Sequence, residues 1–226
     1  MMMNSMGPIV LGFPLIVFLL LLSGIFYLIC AAFVWRPFRQ EKNELIGALF
    51  AFLVYQAISM FFMGLDMQYM GNFYGAIASL AVFIGSAYML KFPLSSFSEK
   101  TRRISFLLIL IVALGIFAWF MQTPERQRSL IHFTLWYDLV INGVIVGGFI
   151  LALSLKKTQG LLRVKALGGG TGVISCCVVA NATMLGGALL TSSVFQFLAP
   201  VLIVGSMAYA RRKQKLSESS APAVSA

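Results

Sequence analysis

Residues 129–157, SLIHFTLWYDLVINGVIVGGFILALSLKK, have the length and apolarity of one membrane-spanning helix, and Asp138 lies deep within it. A carboxyl group at that depth costs about 2.5–3.5 kcal/mol on insertion scales, so it normally faces protein or a water-filled cavity. Side chains four residues apart share one helix face, which places Thr134, Asp138 and Asn142 in a single polar stripe. This stripe is the first candidate for a functional site.

Polar residues on other apolar runs are the candidate partners of the stripe. They are Tyr55, Gln56, Ser59, Asn181 and Gln196. No lysine or arginine lies at a comparable depth, so we expect Asp138 to be a neutral, hydrogen-bonded acid. Two interpretations stay equally open: an intramembrane proton or cation site, or a hydrogen bond that only holds helices together.

His132, the only histidine, lies on the same run near its start. It could sense pH, because an unperturbed histidine titrates near neutrality. An interfacial residue beside Trp136 and Tyr137 is the favoured interpretation. One histidine cannot supply a bis-histidine haem site or the usual zinc ligands. The cysteines also lack metal-site spacing, so we predict no metal, no cofactor and no catalytic residue.

The composition is typical of a membrane protein. Apolar residues make up 60% of the 226 residues, charged residues make up 11%, and the mean hydropathy is +0.92. These values lie outside the range of ordinary soluble domains. The formal charge of +10 would suggest nucleic acid in a soluble protein, but the basic residues lie between apolar runs. We therefore predict the lipid bilayer, and no nucleic acid, as the partner.

Seven apolar runs of membrane-spanning length predict an all-α protein, a bundle of seven transmembrane helices. The predicted spans cover residues of about 9–35, 44–63, 73–90, 104–121, 130–155, 164–182 and 185–210. Residues 1–210 would form one transmembrane domain. The small, polar segment 211–226 is predicted to be a disordered cytoplasmic tail.

The basic residues predict how the chain crosses the membrane. Every lysine and arginine except Arg126 and Arg128 lies around the joints after spans one, three and five or in the C-terminal tail. The positive-inside rule assigns these segments to the cytoplasm. The N-terminus would then be outside and the C-terminus inside. A multi-pass protein of the plasma membrane, specifically the bacterial inner membrane, is the expected location.

Glycines suggest where helices pack closely. Gly143 and Gly147 lie on the flank of the fifth span opposite the polar stripe, and such small-residue surfaces let another helix approach. A homo-oligomer through Gly143 and Gly147 is therefore one expectation. The run Gly168–Gly172 is expected to be a second packing surface.

The order of three stretches resembles a known family. The first span closes in WRPFRQEKN (35–43), the aromatic second span is NELIGALFAFLVYQAISMFF (43–62), and the third ends in MLKFPLSSF (89–97). With seven spans and an external N-terminus, this order resembles the seven-helix membrane sensor regions of bacterial histidine kinases and related receptors. Such regions normally continue into a cytoplasmic signalling domain. The resemblance therefore implies a separate cytoplasmic signalling protein docked on the basic joints, and it assigns no residue as a ligand contact.

The leading expectation is a non-enzymatic sensor or accessory protein. Its bundle would respond to a small or lipophilic ligand through the outer half of spans two, five and seven. The alternative is a small transporter or channel that uses Asp138 as an intramembrane proton or cation site. Spans one to three and five to seven have similar joints, which would fit the parallel repeat of some transporters. A membrane enzyme acting on lipid is the third expectation.

Overall fold

Long apolar helices make up most of the structure. The computed structural model describes residues 8–69, 72–156 and 159–219. Within these residues, seven helices are long and apolar enough to cross a membrane. The prediction of a multi-pass, seven-helix bundle is confirmed to this extent, and the direction in which the chain crosses stays a prediction.

The bounds of the seven helices differ from the predicted spans mainly at their ends. The helices are α1 (Leu15–Glu41), α2 (Glu44–Tyr69), α3 (Asn72–Met89), α4 (Glu99–Phe120), α5 (Pro124–Lys156), α6 (Gly160–Leu185) and α7 (Leu189–Ser219). A short helical turn, Lys91–Leu94, follows α3. Polar caps explain two of the starts: the side chains of Ser98 and Thr123 accept hydrogen bonds from the first turns of α4 and α5.

The first helix begins later than predicted. Instead of continuing the helix back to residue 9, the chain forms a small antiparallel hairpin of β1 (Ile9–Val10) and β2 (Phe13–Pro14). Its two turn residues, Leu11 and Gly12, have φ values of 52° and 84°. Positive φ at both central residues is the geometry that closes two-residue hairpins. Hydrophobicity alone does not distinguish this hairpin from a helical turn.

The far end of α1 also differs from the prediction. The helix does not stop at Trp35 but runs through the buried Pro37 and ends at Glu41, and Lys42 caps it in a left-handed conformation with φ 49°. A proline removes one helical hydrogen bond and disfavours a helix interior. Packing against α2 and α7 holds this helix together across the proline.

The α6–α7 joint lies later than predicted. The predicted spans leave the joint at residues 183–184, but α6 continues to Leu185, and the chain turns at Gly186 and Gly187, where φ is 82° at the second glycine. Asn181 is therefore inside a helix and 2% exposed. Helix α7 then continues to Ser219, so residues 211–219 are helical rather than a disordered tail. Residues 220–226 lie outside the described part of the chain.

Six of the helices form a closed ring. Each contacts the next in the order α1, α2, α3, α5, α6, α7, and α7 returns to α1. Helix α4 lies outside the ring against α3 and α5, and most of its apolar side chains are exposed. Buried polar side chains face the interior of the ring, while large apolar side chains cover its outside, as a bilayer requires.

Ion pairs show that several basic helix ends lie together. Glu44, at the start of α2, binds Lys91 at 3.1 Å and Arg102 at 2.8 Å. Glu41, at the end of α1, lies 3.6 Å from Arg211 of α7. We call this the basic end of the bundle. It is the end that the positive-inside rule assigns to the cytoplasm.

The glycines of α5 and α6 serve packing within the chain. A Cβ atom at Gly143 would clash with the Val178 side chain and lie 3.2 Å from its backbone nitrogen, and one at Gly147 would lie 2.8 Å from Ile174. A Cβ atom at Gly172 would lie 2.9 Å from the backbone oxygen of Ala199 on α7, so α6 and α7 also pack closely there. Since α6 covers Gly143 and Gly147, both glycines pack within the chain, and the homo-oligomer stays a prediction.

Candidate functional site

Two π-helical segments meet at Asp138. Helix α5 changes to a π-helix over Leu139–Gly147, directly after Asp138, and α6 does so over Ser175–Ala180, directly before Asn181. The two segments contact each other. An extra residue per turn changes the direction of the following side chains, and such segments occur often at functional sites. The glycines of the first segment allow this close approach, since they have no Cβ.

Asp138 is held by amide groups from two helices. Asn142 Nδ2 donates to Asp138 Oδ1 at 2.5 Å, and Asn181 Nδ2 donates to Asp138 Oδ2 at 2.6 Å. The Cys177 thiol is a further neighbour of the carboxyl group. Only 5% of Asp138 is exposed. Both carboxyl oxygens therefore have donors, and the amide of Asn181 joins α5 to α6.

Asn142 extends this network to α3. Its Nδ2 also donates to Ser86 Oγ at 2.7 Å, and Ser86 Oγ donates to the Val82 carbonyl at 2.8 Å. The amide oxygen of Asn142 is buried and has no hydrogen-bond partner in the described residues. A buried acceptor without a partner carries an energetic penalty of about 1–3 kcal/mol. This oxygen is therefore available for a proton donor.

A second polar network lies beside the first. Tyr27 of α1 donates from its hydroxyl to Gln196 Oε1 at 3.4 Å, and Gln196 Nε2 donates to the Cys176 carbonyl at 3.2 Å. The second bond satisfies a backbone acceptor within the π-helical segment of α6. These contacts connect α1, α7 and α6 across the interior of the ring.

A small cavity adjoins both networks, and apolar side chains form part of its lining. Its polar lining comes from Gln56, Ser59, Thr134, Asp138, Asn181, Ser192 and Gln196. The volume open to the centre of a water molecule is about 10 Å³, which is close to the minimum that one water requires. The Ser59 hydroxyl is buried without a hydrogen-bond partner in the described residues. The cavity lies near the starts of α1 and α7, in the half of the bundle away from the basic end.

Seven of the nine residues named from the sequence lie together. The cavity is lined by Asp138, Thr134, Gln56, Ser59, Asn181 and Gln196, and Asn142 contacts Asp138. Thr134 does not bind Asp138, because its hydroxyl donates to the Leu130 carbonyl of its own helix at 2.8 Å.

The other two predicted residues, Tyr55 and His132, lie elsewhere. Tyr55 is half-buried and stacks on Tyr88 with 6.1 Å between ring centroids. His132 is exposed, and Trp136 Nε1 donates to its Nε2 at 3.3 Å. The interfacial position of His132 stays a prediction.

Sequence reasoning missed several members of the site. They are Tyr27, Ser86, Cys177 and Ser192. Tyr27, Ser86 and Cys177 each lie within an apolar run and give no periodic signal. Only Ser192 lies in a polar triplet, residues 191–193, which could have indicated its position.

The interior of the ring holds no basic side chain among the described residues, since the buried polar and charged residues include neither lysine nor arginine. No group of three or more His, Cys, Asp or Glu side chains converges as a metal site within the described ranges. The carboxyl group of Asp138 is thus surrounded by amide, hydroxyl and thiol groups. These groups can stabilise a proton or a small cation, but they do not supply a countercharge.

Comparisons with known proteins give no match: no family model, no curated protein and no solved structure is significantly similar to the chain. The resemblance to seven-helix sensor regions therefore stays a prediction.

Proposed function

We propose that the chain is a small membrane transporter or channel in which Asp138 binds and releases a proton or a small monovalent cation. One observation carries this proposal: a carboxyl group, buried between two π-helical segments and without a cation beside it in the described residues, contacts a small cavity whose lining is part polar and part apolar. Burial of an ionised carboxylate at this position has a high free-energy cost when no positive charge lies beside it. Uptake of a positive species offsets this cost.

The size of the cavity favours a small species. Room for about one water excludes a lipophilic ligand or a metabolite from this site in the closed arrangement. Intramembrane carboxyl groups of transporters and pumps commonly bind protons or ions where helices depart from regular geometry. The π-helical segments on either side of Asp138 fit this pattern.

Asn142 provides a way to couple uptake to structure. Its Nδ2 donates to Asp138 in the present arrangement, which suits an ionised carboxylate. A half-turn of the amide would present the unpartnered Oδ1 to Asp138 as the acceptor of a carboxyl proton. The same rotation would also change the contact with Ser86 and thus the packing of α3 on α5.

The experiment is a flux assay on the full chain reconstituted in liposomes. A pH gradient, and in separate arms sodium and potassium gradients, would be followed with internal fluorescent indicators. We expect a flux in the wild type that Asp138→Asn abolishes. Asp66→Asn is the matched control, because Asp66 is a half-buried carboxyl group near the end of α2 that does not line the cavity and accepts a hydrogen bond from Gly75 N at 2.9 Å. Equal flux with Asp138→Asn, or no flux in any arm, would contradict the proposal.

A sensor is the second candidate. The basic end supports it, since exposed Arg36, Arg39 and Lys213 form a surface on which a signalling protein with acidic groups could dock. Protonation of Asp138 would then alter the bundle without transport. A phenotype that depends on Asp138 in cells, combined with silent liposomes, would favour the sensor. The lipid-acting enzyme has less support, because the polar side chains converge on a closed core cavity and not on a cleft open to lipid.

A further inference from the structure

A second cavity lies far from Asp138, at the basic end of the bundle. It is a cleft of about 730 Å³ between α1 and α7. Pockets for small ligands fall in the range of about 300–1,000 Å³. Its position at the end of two helices, beside their apolar outer faces, distinguishes it from the closed cavity in the core.

The lining of this cleft changes from apolar to basic along both helices. On α1, Phe33 precedes Arg36, and on α7, Met207 precedes Arg211 and Arg212. Both helices run towards the basic end, so the two gradients have the same direction. The apolar part of the cleft therefore lies at membrane depth, and the basic part lies at the membrane surface.

The basic part has an excess of positive charge. Arg211 lies 3.6 Å from Glu41, which is the acidic residue of the lining. Neither Arg36 nor Arg212 forms an ion pair with another residue in the described part of the chain. Both are exposed, and their guanidinium groups have the planar fork that binds phosphate oxygens.

We propose that the cleft binds an anionic phospholipid from the leaflet around the basic end. Its phosphate would lie between Arg36 and Arg212, and its acyl chains would follow the apolar wall. Phe33 in this wall is 65% exposed, so a lipid chain would cover a large aromatic side chain. A soluble anion would gain nothing from that wall. Basic pockets between transmembrane helices are a recurrent form of anionic headgroup site.

Native mass spectrometry of the purified full chain tests this proposal. Protein would be equilibrated with equal amounts of phosphatidylglycerol and phosphatidylcholine in mixed micelles, and the bound lipids would be counted. We expect a preference for phosphatidylglycerol, and we expect the double variant Arg36→Gln, Arg212→Gln to reduce its affinity roughly tenfold or more. The single variants should each lose part of this preference, which keeps the test informative if the double variant does not fold.

The control removes the same charge from the same end but outside the cleft. Lys100 and Arg163 are exposed there, and Lys100→Gln, Arg163→Gln should leave the preference unchanged. An equal loss in this control would mean general surface attraction and would overturn the proposal, as would a wild type without preference. Displacement of the lipid by glycerol phosphate would identify a soluble anion site instead. Displacement by a poly-glutamate peptide would identify a protein-docking site, and either result would overturn the lipid assignment.

Discussion

At the residue scale, the site consists of Asp138 and the side chains that donate hydrogen bonds to it. The spacing of four residues was sufficient to place Asp138 and Asn142 on one helix face, and both lie in the same network. The spacing does not predict which hydrogen-bond partner a side chain has. Thr134 shows this, since it bonds to its own helix. Ser86 shows the converse, because a lone serine in an apolar run carries no signal of its contact with Asn142.

The bond between Asn181 and Asp138 gives a prediction on stability. Asn181→Ala should destabilise the protein by about 1–3 kcal/mol, because a buried carboxyl oxygen loses its donor. Thermal unfolding in detergent would measure this for the two single variants, Asn181→Ala and Asp138→Ala, and for the double variant. A coupling of about 0.5–3 kcal/mol between the positions is expected for side chains in one network. Strict additivity would show that the two side chains do not interact.

At the element scale, the interruptions of α5 and α6 were not predictable. A π-helical segment leaves the apolar character of a span unchanged, so neither hydropathy nor the helical period indicates it. Hydropathy also predicts the apolar part of a helix and not its ends. The extension of α2 to Tyr69 shows this, because Asp66 lies in a predicted joint but belongs to the helix. The Asp66 side chain accepts a hydrogen bond from Gly75 N in the first turn of α3. The glycine positions, by contrast, did predict close helix packing.

The contact of α5 with α6 predicts unequal effects for two glycines of the same helix. Gly143→Ala should destabilise the protein by about 1–3 kcal/mol, since the new methyl group meets the Val178 side chain and the α6 backbone. Gly148→Ala is the control, because nothing lies within 4 Å of its Cβ position. Thermal unfolding in detergent should show little change for it, or a gain of up to about 1 kcal/mol from helix propensity. Similar losses for both variants would contradict the packing described here.

At the scale of the whole molecule, the ring of helices encloses the candidate site, and the basic residues predict the orientation in the membrane. The ring of six helices encloses the polar side chains, while α4 lies outside the ring and contacts α3 and α5, the helices that precede and follow it in the chain. The seven-span count was predictable because membrane thickness sets the length of each apolar run. The order of helices around the ring was not, since it depends on side-chain packing between spans that look alike in sequence.

The charge distribution predicts the orientation of the whole molecule. Reporter fusions should place the N-terminus outside and the C-terminus in the cytoplasm, because the basic end should stay on the cytoplasmic side. A reporter joined after Lys100 should also be cytoplasmic, and one joined after Arg126 should be external. Both chain ends on the same face of the membrane would contradict the seven-span architecture.

Infrared difference spectroscopy on the reconstituted protein tests the central claim most directly, namely that Asp138 exchanges a proton or a small cation inside the bundle. On acidification, or at constant pH on removal of sodium, we expect a protonated-carboxyl band that is present in the wild type and in Asp66→Asn. The same band should be missing in Asp138→Asn. A wild-type spectrum in which no carboxyl band responds to either change, or a band that persists in Asp138→Asn, would contradict the account.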